Sequence, residues 1–385
     1  MRITYFVERF WPYIGGLEVA SAALLGELAA RGHEVAVITD NASGRLPDRD
    51  SLGGVAVHRF DIAEPFRVGV GADVQRSRSA IARLRRRLRP DLVHAVFLGS
   101  AGCYAAATAD AYPAPVLLAF HVMWPPLPAA QSAALRALVA GADWVTTCSH
   151  ATLRMLLRDG VALPQTCSVI TSASPLPDRE PSPPTMDPPL LLYVGRLSPE
   201  KGVDVAIAAF ASLQDRLPAA RMLVVGDGPE RPRLSAQAET LGVSGKVDFT
   251  GWVAPAAVPD LLARASIVVI PSRFEPFGLT AQEAAWAGRP IVASDTTGLA
   301  EQLVHGETAL LVQPDDQAAL ADAIRALAGD PQRATALGRA ARRAAERAQT
   351  VASYADCHEE LYERLTARWR SVRGPSETHF ARSLG

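Results

Sequence analysis

Pro271-Ser272-Arg273-Phe274-Glu275-Pro276-Phe277-Gly278-Leu279-Thr280-Ala281-Gln282-Glu283-Ala284-Ala285-Trp286-Ala287-Gly288-Arg289-Pro290 lies between two apolar runs, residues 265–270 before it and 290–294 after it. It sets two carboxylates, Glu275 and Glu283, eight positions apart. A strand that ends in a loop with one carboxylate, followed by a helix with a second, predicts a ligand site at the C-terminal edge of a parallel sheet.

Working outward, the same alternation of apolar strands and helical patterns fills the C-terminal half. Strands are expected at 190–194, 221–225, 247–250, 267–270 and 291–293, with helices at 203–214, 230–240, 257–264 and 280–287. The N-terminal half repeats the theme, with strands at 3–7, 34–39, 55–60, 92–97, 116–120 and 144–148 and helices at 19–31, 77–89 and 132–140. Between the halves, residues 175–189 carry Pro175, Pro177, Pro181, Pro183, Pro184, Pro188 and Pro189, which no regular element accepts. The class expected is therefore α/β, with two tandem Rossmann-like domains facing across a cleft. The divisions expected are an N-terminal domain over 1–174, a linker over 175–189 and a C-terminal domain over 190–350. A helix over 351–372 crossing back to the N-terminal domain and a frayed tail over 373–385 complete the chain.

Length supports two cores, because 385 residues exceed what one hydrophobic core usually serves. Apolar content of 49% and charged content of 21% are those of an ordinary globular protein. A net charge of −1 gives no basis for nucleic-acid binding. Cys103, Cys148, Cys167 and Cys357 are far apart and form no C-x-x-C, so unpaired thiols in a reducing cytosol are expected and no metal site. Glu8 and Arg9 stop the first apolar run short of a signal peptide, and no uncharged run reaches membrane length. The expected location is cytoplasmic, at most peripheral to a membrane. Arg83-Leu84-Arg85-Arg86-Arg87-Leu88-Arg89 reads first as a solvated helix face and alternatively as a contact with anionic lipid.

Only Lys201 and Lys246 among 39 basic residues are lysines. Lys201 closes Gly195-Arg196-Leu197-Ser198-Pro199-Glu200-Lys201-Gly202, which follows a strand, so Arg196 and Lys201 are placed to hold a diphosphate. Gly15 and Gly16, between the first strand and first helix, fit either a tight turn or a loop whose amides approach an anion. They do not form G-x-G-x-x-G. His121 follows a strand and precedes Trp124, which suits contact with a sugar or a developing charge. Gly226 and Gly251-Trp252 end strands and read as turns or ligand contacts.

The two glutamates are set too far apart for a retaining glycosidase, whose carboxyls sit about 5–5.5 Å apart. Eight residues of helix span roughly 12 Å. One carboxylate accepting from a sugar and the other from a ribose, with the helix start at Gly278-Leu279-Thr280 facing phosphate, describes a nucleotide-sugar site.

With these residues in hand, the chain resembles the retaining glycosyltransferase family 4. The stretch from 271 to 290 is similar to its E-x7-E signature and 195–204 to its G-R-x-x-x-x-K-G segment. Residues 12–18 resemble its Gly-Gly loop, and Phe120-His121 its histidine. The resemblance implies a GT-B fold and transfer of a sugar from a nucleoside diphosphate donor to an acceptor hydroxyl, with retention and without a metal or other cofactor. It implies that Glu283 holds the ribose and that Arg196, Lys201 and the Gly16 backbone hold the diphosphate. Glu275 and His121 then attend the donor sugar. Catalysis would rest on orientation and charge stabilisation, with a donor phosphate oxygen as base. Partners implied are the nucleotide sugar and a small-molecule, glycan or lipid-linked acceptor. Where the family commonly carries an Asn-Gly-Val-Asp-like segment, this chain has Thr171-Ser172-Ala173-Ser174-Pro175. A sugar-nucleotide epimerase is the alternative enzyme, short of an acid/base partner for His121. A phosphorylase of the glycogen type would need Lys246 for its cofactor. A non-catalytic partner with this fold would not need Glu275, Glu283, Arg196 and Lys201 intact.

Overall fold

The structure is a computed structural model that describes every residue except 14, 42–43, 64–70, 98, 123–128, 178–180 and 384–385, with backbone alone at 130, 131, 134 and 373–383. Two compact units are present: Met1–Ala173 together with Val351–Gly385, and Ser174–Thr350.

The first unit is built on β1 (Arg2–Phe6), β2 (Glu34–Asp40), β3 (Arg49–Leu52), β4 (Val55–Phe60), β5 (Leu92–Val96), β6 (Val116–Phe120), β7 (Trp144–Thr147) and β8 (Cys167–Val169). Their order across the sheet is β3-β4-β2-β1-β5-β6-β7-β8. Every pair is parallel except β3 with β4. The central strands β1, β2, β5, β6 and β7 are buried on both faces, which is why they read as largely apolar runs. Along β1, Ile3 and Tyr5 enter one core layer and Phe6 the other.

Besides the short strand β8 and the single turn Ala109–Ala111, three elements of this unit escape the sequence reading. β3 is a polar, mostly exposed edge strand with no apolar alternation. Helix Ala101–Ala107 is a short alanine-rich piece without an amphipathic stripe. Helix His150–Arg158 is short, capped by the Ser149 side chain accepting from the Thr152 amide, and buries Met155 and Leu156. The basic run also divides: Arg85 is fully buried and donates to the carbonyls of Ala105 and Tyr112, so it is no part of a solvated face.

Helix Val351–Ser383 belongs to the first unit and extends past 372 into the segment that has no apolar period. Tyr354, Ala355, Leu361, Tyr362 and Leu365 complete the core layer that holds Ile3 and Tyr5. Buried His94 meets the Tyr362 hydroxyl at 2.7 Å, and Arg31 pairs with Asp356 at 2.6 Å. Among the described residues no helix is long and apolar enough to cross a membrane.

The second unit carries β9 (Leu190–Val194), β10 (Arg221–Val225), β11 (Val247–Gly251), β12 (Ile267–Ile270), β13 (Ile291–Ser294) and β14 (Leu310–Val312). They are all parallel, in the order β11-β10-β9-β12-β13-β14. Leu191, Tyr193, Ile267 and Val269 face one core layer, while Leu192, Val268 and Ile270 face the other. Two consecutive crossovers go one way from β9 and the next goes the other way to β12. Strand order therefore reverses between β9 and β12, and a crevice opens at their C-terminal ends. In the first unit the same reversal falls between β1 and β5.

Candidate active site

The loop leaving β9 carries Gly195, Arg196 and, after the short turn Pro199–Lys201, Gly202. It is pinned at its start by the Tyr193 hydroxyl, which donates to the Arg196 carbonyl at 2.7 Å, and by fully buried Leu197. At Gly202 the backbone is left-handed, with φ 65°, and an added Cβ would collide with the carbonyl oxygen of Pro271. Here the loop after β9 touches the loop after β12, backbone against backbone. Gly202→Ala is therefore expected to cost at least about 1–2 kcal/mol from the left-handed backbone alone. A urea melt that leaves the midpoint unchanged would contradict that packing. At Gly226, φ 126°, an added Cβ would likewise strike the Gly195 carbonyl, so this glycine serves the close approach of the loops after β9 and β10.

Across the crevice, the Lys201 ammonium donates to Glu275 Oε2 at 2.7 Å. Ser272 Oγ donates to the same oxygen at 3.2 Å. The Thr297 hydroxyl accepts from the Glu275 amide at 2.9 Å and donates to its carbonyl at 2.7 Å, which fixes the residue's backbone. Glu275 is 9% exposed, and among the described residues its other oxygen, Oε1, has no hydrogen-bond partner. Arg273 braces the two loops from behind. Its guanidinium takes Asp204 through two bonds of 2.9 and 3.1 Å and Asp315 at 2.7 Å. Burial alone would raise the Asp204 carboxyl, and the Arg273 bonds and charge reverse this and hold it below its usual range. Arg196 is exposed, and its guanidinium has no partner among the described residues.

Helix Leu279–Trp286 starts from Gly278, left-handed at φ 101°, and Thr280 Oγ1 anchors it to the Val194 carbonyl at 3.2 Å. Leu279 and Thr280 thus place the helix N-terminus at the end of β9. One turn on, Glu283 Oε1 accepts from Ser174 Oγ at 2.7 Å. Burial pushes the Glu283 carboxyl above its ordinary range, with the Ser174 bond partly opposing. Neighbouring Gln282 accepts from the Ser174 amide at 3.1 Å and donates to the Gln349 carbonyl at 3.2 Å, tying the start of this unit to its end. The unusual segment 171–174 is thus an integral part of the surroundings of two candidate residues, since Ser172 Oγ also lies 3.3 Å from His121 Nδ1.

In the first unit, Gly15 caps helix Gly16–Ala30, whose first turn holds Glu18. His121, just past β6, is half-buried; burial and the neighbouring His358 push it down to about 4, so the ring is neutral near pH 7. Trp124, its expected companion, lies outside the described residues. Glu8 is a group the sequence reading passed over, treating it only as the end of an apolar run. It leaves β1 at the reversal of strand order and accepts from the Ser100 amide, beyond β5, at 2.6 Å. Burial raises its carboxyl despite the Ser100 bonds. The signal that could have found it is a carboxylate within two residues of the C-terminal end of the first strand.

Lys246 donates to Gln214 Oε1 at 2.7 Å and to the Pro218 carbonyl at 2.8 Å, so it braces the surface there. Trp252, after β11, is 56% exposed. Among the described residues no group of three or more His, Cys, Asp or Glu is placed to hold a metal ion.

Residues 14–171 match the model for Glycosyltransferase Family 4, and residues 177–344 that for Glycosyl transferases group 1. Over 367 residues the chain is 33% identical to glycogen synthase of Mycobacterium tuberculosis, covering 86% of this chain and 88% of that protein. The chain belongs to glycosyltransferase family 4. This family 4 glycosyltransferase is also 30% identical over 408 residues to D-inositol 3-phosphate glycosyltransferase of Rhodococcus opacus, covering 96% of this chain and 90% of that one. Among solved structures, sucrose-phosphate synthase from Thermosynechococcus elongatus superposes with a TM-score of 0.84 at 25% identity, over 95% of this chain and 99% of the other. HepE from Anabaena in complex with UDP-glucose matches the fold with a TM-score of 0.79 at 22% identity, over 95% and 99% of the two chains. The glycosyltransferase has the GT-B fold, and it is an enzyme that transfers a sugar from a donor.

Proposed function

We propose that this glycosyltransferase uses a nucleoside diphosphate sugar and passes the sugar to an acceptor hydroxyl with retained configuration, without a metal. The observation that carries the reading is the Lys201–Glu275 bridge across the reversal of strand order, with the unpartnered Arg196 guanidinium on the same loop. An ammonium has three protons, so one spent on Glu275 leaves two for phosphate oxygens. Arg196 supplies a planar fork suited to the same diphosphate. Glu275 Oε1 is then the acceptor for a donor-sugar hydroxyl, and Glu283 Oε2 for the ribose.

In the step proposed, the bond from the anomeric carbon to the β-phosphate oxygen breaks and the acceptor oxygen bonds to the same face of that carbon. The acceptor's proton passes to the departing phosphate oxygen. Charge builds on the diphosphate, where preorganised cations lower the barrier most. The roles implied for the Gly16 amide, as a donor to the diphosphate, and for neutral His121, as a contact to the sugar, belong to the same proposal. No further cofactor is part of it.

Screening UDP-, GDP- and ADP-sugars by thermal shift and then by donor hydrolysis tests the reading, because a ligand that binds the folded state raises its melting temperature by mass action. One donor series is expected both to shift melting and to be hydrolysed; a chain that neither binds nor hydrolyses any of them does not work as proposed. With the donor found, turnover is expected to be unchanged by EDTA. Loss of turnover restored by Mg²⁺ or Mn²⁺ would remove the metal-independent part. Proton NMR of the first product formed reads the anomeric configuration directly.

A further inference from the structure

The first unit holds a groove of about 1060 Å³ between the edge hairpin β3–β4 and helix Gly71–Leu88. Arg49 of β3 lines one side, and Arg83, Arg86 and Arg87 of the helix, with Arg89 just beyond it, line the other, over His58 of β4. We infer that this groove is a binding site for a compact soluble anion bearing two or more phosphate groups.

None of these five guanidiniums donates a hydrogen bond or forms an ion pair among the described residues, and all five are exposed. Like charges gathered along one groove repel one another, less so as salt screens them, so the arrangement is unfavourable until an anion enters it. The helix macrodipole favours cations in its last turn, which accounts for Arg86 and Arg87 but not for Arg83 or for Arg49 on another element. The two sides do converge. His58 is held below its ordinary range first by burial and then by the charges of both Arg49 and Arg87. Two carboxylates also line the groove. They are Asp48 and Asp61; Asp48 accepts from Asn41 at 3.4 Å and, among the described residues, forms no ion pair with the five. Guanidinium forks match the paired oxygens of phosphate. A concave groove receives a molecule between its two sides, whereas a bilayer presents a broad plane. The inference uses the first unit alone and is independent of the proposed transfer reaction, since none of the proposed donor-binding residues lines the groove.

Inorganic tripolyphosphate is the probe, added to the full-length protein without any donor sugar. It is expected to raise the melting temperature by about 3 °C or more, where sodium chloride of equal ionic strength does not. Arg83→Gln/Arg87→Gln and, separately, Arg49→Gln are expected to weaken probe binding at least about tenfold by calorimetry, roughly what one lost charge-assisted bond removes. Their melting without the probe should equal or exceed that of the parent, because a repulsion is relieved. An equal shift from sodium chloride overturns the inference, and so does unchanged affinity in both variants. Sedimentation with phosphatidylglycerol vesicles but not phosphatidylcholine, lost in the variants while tripolyphosphate fails to bind, would overturn it in favour of a membrane face.

Discussion

Lys201→Ala is expected to lower the rate of glycosyl transfer by about 10²–10³-fold, with most of the loss in kcat. That is the size of effect produced by removing one preorganised donor to a developing negative charge. A lysine that merely bound the donor would raise KM and leave kcat alone. The confounding effect is structural. Glu275 is 9% exposed, so loss of its ammonium partner leaves a largely buried carboxylate with only the Ser272 hydroxyl. For a fully buried pair, such a deletion costs about 3–5 kcal/mol. The Lys201 and Glu275 side chains are 22% and 12% exposed, so a smaller loss is expected here. Glu275 also keeps its backbone clasp to Thr297. Lys201→Met/Glu275→Gln separates the two effects: it relieves the stranded charge and should recover melting temperature without recovering turnover. Turnover of the single variant equal to the parent would end the proposed role of Lys201.

This pairing shows what the sequence could and could not reveal. The strands were legible because a parallel sheet covered on both faces demands unbroken apolar runs, as in Leu190–Val194 and Ile267–Ile270. Strand-end loops with Glu275, Arg196 and Lys201 were legible for the same reason. The bond from Lys201 to Glu275 was not, because it joins residues 74 positions apart and depends on β12 inserting beside β9. Spacing alone suggested two cations free for a diphosphate, whereas one of them is already shared with a carboxylate. Ser174 and Ser172 looked like a departure from a familiar segment. Their hydroxyls meet Glu283 and His121, contacts that only the folded chain can show. Edge strand β3 was lost because only Leu52 of its R-D-S-L sequence packs against the core.

Glu283→Gln is expected to weaken donor binding by about 10–100-fold, the worth of one hydrogen bond to a charged acceptor. Glutamine still accepts from Ser174, so the variant changes the charge and not the local contact. The direction of the glutamate's shift adds a second readout. Burial raises its carboxyl in the folded protein above the value it has unfolded. As pH rises through the unfolded value, the unfolded chain ionises first, so the folded state loses stability until the raised folded value is passed. Above the raised folded value the penalty is fully present, and Glu283→Gln removes it. The variant should therefore melt at or above the parent at pH 7 while binding donor more weakly. Donor affinity of the parent should be flat at high pH and fall as pH drops through the raised value, because the ribose hydroxyls need an ionised acceptor and binding releases the proton. In Glu283→Gln that pH dependence should vanish. An affinity profile unchanged by the substitution would place the ribose elsewhere, and a lower melting temperature with intact donor binding would make Glu283 a structural partner of Ser174 alone.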